Sequence, residues 1–382
     1  MPVNLNVLDQ IYSCKVKGKI YRLIYEMNKN VRIKIKTPVG MTQSEDVGPL
    51  VTQGSVEAAT LSSVSLGNGV NDAFVQSDVE VVYGKITLGP QIFMDDIARL
   101  AENRASAQYA NHLMEKVIGS KGLEFNLDKS SYLIMGNKAN RRKLKAQTIT
   151  SPIQLCNENM KEVKVLRYLG DCISYNIEES IHQTVLRRVA IAKLSVYEIR
   201  AVIEDTRSEK LGALGVAFDI WEAAIVPMLI HNCESWFGMA KKTIKILDDL
   251  FHKFCQSIFR VGTGCPIVNY YWQSGSLTFT NIILAKQLNF IHHLANLPQD
   301  ALARTIFDES VNLKLPGLYQ QCERYLNEMG IIDLQVITKG QMKSKVKKFI
   351  RNKTRSELLV KSQNYKKLDF HKLSRESLER KP

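Results

Sequence analysis

The chain has 382 residues, 45% of them hydrophobic, with seven cysteines and a formal net charge of +14. This composition is globular and excludes a disordered or collagen-like chain, and the length suffices for two or more domains. The cysteines (Cys14, Cys156, Cys172, Cys233, Cys255, Cys265 and Cys322) include no C-x-x-C pair, which argues against a zinc knuckle or redox dithiol. Their odd number, with no signal peptide, points to reduced thiols in an intracellular protein, nuclear or cytoplasmic.

In chain order, the first 27 residues predict two helical turns, a break at Gly18 and a short amphipathic helix over Lys19–Met27. "VRIKIKT", residues 31–37, alternates and predicts a half-buried strand with Val31, Ile33 and Ile35 on one face. A turn-rich stretch runs to Ser55, then a small-residue helix to about Leu66. The glycine cluster "SLGNGVN" lacks the lysine and preceding apolar strand of a phosphate loop. Residues 79–89 predict a hairpin turning at Tyr83-Gly84. Next, "QIFMDDIARL" (residues 91–100) sets Asp95 and Asp96 between apolar pairs, either as a solvated turn or as a site for divalent metal.

Residues 106–125 predict a helix capped by Ser106, residues 131–136 a strand, and the Lys/Arg-rich stretch to about Thr150 a loop. Lys164–Ser174 predicts a strand pair around Gly170. From Ile177 to Asp205 the pattern is one long amphipathic helix, with more helices through Arg260. Leu211–Ile230 approaches the length of a membrane span. Asp219 and Glu222, three apart on one helical face, argue for a buried soluble helix instead, so no membrane segment is expected. Beyond Gly262 the pattern is mixed. From Lys339 to Pro382 there are 15 Lys or Arg against four acids, a net of +11. Such a run is the footprint of a phosphate-backbone binder, or simply a solvated tail.

Two-metal chemistry needs clustered carboxylates that hold two Mg²⁺ ions about 3.5–4 Å apart. A tight turn between apolar strands would fix Asp95 and Asp96 in that way. A second pair, Asp248-Asp249, falls in a helical pattern and reads as surface charge. His231, His252, His292 and His293 stand at no zinc spacing with the cysteines and read as structural or surface residues.

The ordered series "VTQG" (51–54), "FMDD" (93–96), "GLEFNLDKSSYLIMG" (122–136) and "YLG" (168–170) resembles the palm of a reverse transcriptase of the non-LTR (LINE-type) retrotransposons. The resemblance is densest from Val16 to Ser174, looser to Arg260 through "IVPMLIHNCESW" (225–236), and faint beyond. It implies an α+β fold: a partial palm with an antiparallel sheet and helices over residues 1–175, and a helical thumb-like region over 176–261. A mixed region over 262–338 and a basic tail over 339–382 complete the chain. It implies RNA-directed DNA polymerase activity by descent, with an RNA template, a DNA primer and dNTPs as partners and two Mg²⁺ as cofactor. Asp95 and Asp96 would then be the catalytic metal ligands. Gln53, Gly54, Phe93 and Lys129 would lie near nucleotide and template, and Tyr168, Leu169 and Gly170 would form the primer grip. Arg187, Arg188 and Lys193 are candidate phosphate contacts, with an ordinary solvated helix face as the equal alternative.

Two departures stand out. Ala58-Ala59 occupy the place where the family often continues to Ser-Pro. The family's first catalytic Asp lies on a strand upstream of the opening helix, and this chain opens after it, with Asp9 a poor substitute. The fingers and an endonuclease segment are not matched either. The expectation is therefore a fragment that is not a competent polymerase by itself. The alternative is a non-catalytic nucleic-acid-binding protein using the helical region and the basic tail.

Overall fold

The computed structural model describes residues 17–29, 32–46, 70, 74, 81–120, 123–205, 212–259 and 264–363. The fold is mixed α+β, and the chain forms two compact units, Met1–Val163 and Lys164–Pro382.

The first unit begins with α1 (Gly18–Lys29) and four two-residue strands: β1 (Arg32–Ile33), β2 (Lys36–Thr37), β3 (Gly40–Met41) and β4 (Glu45–Asp46). β1 pairs with β4, and β2 with β3, both antiparallel. The expected continuous strand over 31–37 is thus split, with Val31 outside the described residues, and its described part is not half-buried: Ile33 is 38% and Ile35 60% exposed. Two tight hairpins come next, β5 (Val81–Tyr83) with β6 (Ile86–Leu88), and β7 (Gln91–Phe93) with β8 (Asp96–Ala98). The first turns at Gly84-Lys85, one residue later than expected, where Gly84 takes φ 61°.

Helix α2 (Arg104–Ser120) starts two residues before the expected Ser106 because Asn103 is the cap. Asn103 Oδ1 accepts from the Ser106 N–H at 2.9 Å. Its buried positions Ala110, Met114 and Ile118 recur every four residues and collect Ile92, Ile97, Leu123 and Phe125 with Val70 and Phe74 into one apolar cluster. The strand expected over 131–136 shrinks to β9 (Ser131–Tyr132). The expected Lys/Arg-rich loop is instead α3 (Lys138–Thr150), capped by Asn137, whose side chain accepts from the Asn140 N–H. β10 (Gln154–Leu155) pairs antiparallel with β11 (Glu158–Asn159), and β12 (Lys161–Glu162) runs parallel to β9. Among the described residues the strands pair only in twos, so the antiparallel arrangement is a set of separate ribbons.

The second unit opens with the hairpin β13 (Leu166–Tyr168) and β14 (Asp171–Ile173), then α4 (Ile177–Asp205), with the bounds its periodicity predicts. α5 (Gly212–Ile220) runs into a π turn (Trp221–Ile225) and α6 (Val226–Leu229). Pro227 has no N–H to donate one turn back, so a regular α-ladder cannot continue through this point. α7 (Lys241–Phe259) and α8 (Ile267–Ser274) complete one core, centred on Trp221, whose ring stacks on Phe254 at 4.5 Å. Asp219 and Glu222 are exposed, and no described helix is long and apolar enough to cross a membrane.

α9 (Phe279–Ala295), α10 (Leu302–Asn312), α11 (Leu318–Glu328) and α12 (Lys339–Gln363) build a second core. Described residues after Gly262 hold helices only, where a mixed region was expected. The segment expected as a basic tail is, as far as Gln363, a packed helix. Met342, Val346 and Ile350 enter the second core and Leu358 the first. Val346→Asp would bury an unpaired carboxylate there, at a cost of about 3–5 kcal/mol. It is expected to abolish hydrogen-exchange protection along α12, whereas Ser344→Asp on the exposed side leaves protection unchanged.

Candidate functional site

The Asp95-Asp96 hairpin is formed as the sequence suggests. Phe93 pairs with Asp96, leaving Met94-Asp95 as a two-residue turn. Met94 takes φ 57°, the left-handed region that costs a non-glycine residue about 1–2 kcal/mol. Strain of this kind concentrates at functional sites. The hairpin is anchored on its inner face by Ile92 and Ile97, packed on the α2 cluster. It is fixed at its exit by Arg99, whose guanidinium donates to the Ala107 carbonyl and, at 3.0 Å, to Asn111 Oδ1. Burial pulls the Arg99 pKa down to about 10. Arg99 was missed in the sequence, although its place two residues beyond an apolar strand pair, facing the amphipathic helix, was a usable signal.

Asp95 and Asp96 are exposed, and neither carboxylate has a hydrogen-bond or ion-pair partner among the described residues. Phe93 beside them is 50% exposed. Unpartnered carboxylate oxygens are the donor type Mg²⁺ takes. Two carboxylates fall short of a closed two-metal set, and no cluster of three His, Cys, Asp or Glu occurs among the described residues. Lys129 closes the turn Leu127–Lys129, with its N–H donating to Asn126 Oδ1 at 3.2 Å and its side chain exposed, not paired with Asp128. Gln53 and Gly54 lie outside the described residues.

Tyr168, Leu169 and Gly170 also sit as expected, at the tip of the β13–β14 hairpin. Leu169 (φ 48°) and Gly170 (φ 85°) form the turn, whose two positive φ values match the twist of the strands. Beneath it the structure departs from the sequence reading. Arg188 is not a solvent-facing phosphate contact. It is 6% exposed and reaches back under the hairpin, where its Nη2 donates to Asp171 Oδ1 at 2.6 Å and to the Gly170 carbonyl at 3.3 Å. Nη1 donates to the carbonyls of His231 and, at 3.4 Å, Leu229, the orphan acceptors at the end of α6. The guanidinium carbon also stands 5.5 Å from the Trp236 ring centre, and the other Asp171 oxygen accepts from Asn232 Nδ2 at 3.1 Å. Burial lowers the Arg188 pKa, with Asp171 acting in the opposite direction. The signal was legible in the spacing of Ile181, Val185, Arg188 and Ala192, which puts the arginine in the buried stripe.

Asp248 is likewise not plain surface charge. It accepts from the Tyr271 hydroxyl at 2.6 Å, and burial raises its pKa. His252 and His292 each place Nε2 against a backbone carbonyl, Cys265 at 2.9 Å and Ile337 at 2.8 Å, so both are structural. No protein-family model matches the chain, and no curated protein matches it either.

Arg188→Met leaves Asp171 half-buried without its cation and is expected to cost about 3–5 kcal/mol in urea unfolding. Adding Asp171→Asn should recover much of that loss; equal stability of wild type and the single variant would show the pair to be inert. For Asp248 the sign runs the other way. Its raised folded pKa means that the charged form is disfavoured on folding, a penalty absent below the unfolded carboxylate pKa and present once pH rises above the folded one. Asp248→Asn should therefore match wild type in melting temperature in acid and exceed it increasingly as pH rises to neutrality.

Proposed function

We propose that the chain carries part of a non-LTR-type reverse transcriptase, an RNA-directed DNA polymerase by descent whose reaction class is two-metal nucleotidyl transfer. The observation that carries this reading is the pair of free carboxylates, Asp95 and Asp96, on a strained two-residue turn anchored to a packed helix. Asp95 and Asp96 would hold divalent metal. Phe93, half-exposed on the same tip, would lie against nucleotide or template, and the Lys129 ammonium would offset charge on the triphosphate. The Leu169-Gly170 turn, held rigid from below by Arg188, would present backbone to a primer end.

Two carboxylates make an incomplete metal set among the described residues, so no catalytic step is assigned to this chain alone. Extension of a DNA primer on an RNA template by the isolated chain would overturn that part of the reading. The metal assignment is tested by Fe²⁺, which replaces Mg²⁺ and, with peroxide, cleaves the backbone next to its site. The main cut is expected between Phe93 and Ile97. It should be lost in Asp95→Asn and Asp96→Asn, a larger effect than the ~10–100-fold affinity loss of an outer-shell change. An unchanged cleavage pattern in both variants would remove the metal site. A non-catalytic nucleic-acid-binding reading is favoured by a separate observation, the unpaired basic row on α12.

A further inference from the structure

A groove of about 1190 Å³ runs in the second unit between α8, α9 and α12, with Trp221, Phe251, Tyr271 and Trp272 among its lining residues. One wall is the side of α12 next to its buried stripe. There Lys343, Lys347, Arg351 and Arg355 recur every four residues, all exposed and all lining the groove. Four residues of helix rise about 6 Å, so these cations form one evenly spaced row. Like charges at this spacing repel one another. None of the four has a hydrogen-bond or ion-pair partner among the described residues. The opposite flank of the same helix differs: Lys353 pairs with Glu357 at 2.9 Å and stands 5.2 Å from the Tyr325 ring. The acid among the groove residues, Glu222, accepts from Ser276 Oγ at 3.0 Å.

A second observation is independent of charge. The rest of the lining is largely aromatic and apolar, with Trp221, Phe251, Tyr271 and Trp272 1–6% exposed.

We propose that this groove takes a single strand of nucleic acid. Its phosphates run along the Lys343-Lys347-Arg351-Arg355 row, and its bases lie against the apolar side of the groove. A repeating anion matches an evenly spaced cationic row. A single strand presents phosphates and apolar base faces to one surface at once, whereas a duplex hides its base faces in the stack. The volume exceeds the roughly 300–1,000 Å³ of a small-molecule site, leaving room for more than one nucleotide. The assignment rests on the nucleic-acid-binding reading of the α12 row, names its ligand, and does not depend on Asp95 or Asp96.

The test is anisotropy of labelled oligo(dT), single-stranded or annealed into a duplex, titrated with the full chain over a range of salt. Wild type is expected to prefer the single strand. The variant K343Q/K347Q/R351Q/R355Q should lose at least about tenfold in affinity and about 3 in log–log salt slope, at ~0.7 per phosphate contact. The control K138Q/R142Q/K143Q, on exposed positions of α3, should retain both. Gln273→Trp, which fills the groove from an exposed lining position, should weaken binding several-fold with no change in slope, and reports on the groove even if the quadruple variant folds poorly. Four outcomes would overturn the proposal: unchanged binding in the quadruple and Gln273→Trp variants, equal loss in the control, equal affinity for duplex, or competition by polyglutamate as effective as by oligo(dT). The last would assign the groove to an acidic peptide.

Discussion

The arrangement of the second unit turns on one buried ion pair. Arg188 and Asp171 join a hairpin tip and the helix α4 that follows it to the end of α6, with Leu229 lying 41 residues beyond Arg188. Taking a guanidinium out of water is costly, and a single carboxylate seldom offsets that cost. Here the remaining donors find the carbonyls of Gly170, Leu229 and His231, and the carboxylate gains Asn232. A network satisfied at nearly every position specifies one geometry, because any slip of the hairpin would strand several polar groups at once. The Leu169-Gly170 turn is therefore held stiffly for a loop that stands in solvent.

The Asp95-Asp96 turn of the first unit is built on a different principle. Its carboxylates bond to nothing among the described residues, and the stability of the hairpin comes from Ile92, Ile97 and the Arg99 clamp beneath it. The strain at Met94 sits at the same tip. Rigidity below and unsatisfied chemistry above is the division expected of a site prepared for a ligand.

Periodicity carried much of the fold into the sequence. The α4 helix was legible end to end because its apolar stripe persists for eight turns, and the hairpins at Asp95-Asp96 and Leu169-Gly170 because apolar pairs flank short polar or glycine tips. Helix α3 was not, since its composition is dominated by Lys and Arg and only the Asn137 cap marked it. The apolar row Met342, Val346, Ile350 and Leu358 was hidden among lysines, so net charge suggested a tail where packing makes a helix. Arg188 and Asp248 show the general difficulty. A charged letter reads as surface until its partner is known, and Asp171 and Tyr271 lie 17 and 23 residues away.

The π turn at Trp221–Ile225 sets the phase of the helix beyond it. An extra residue in one turn of helix advances every later side chain by about 100° around the axis. Trp221 points into the first core before the turn, and Leu229 returns to the same core after it. Without the inserted residue Leu229 would swing toward the flank, and the carbonyls of Leu229 and His231 would rotate away from Arg188. The irregularity that looks like a flaw in α5–α6 is thus the indexing step that lets one helix serve both the aromatic core and the hairpin support.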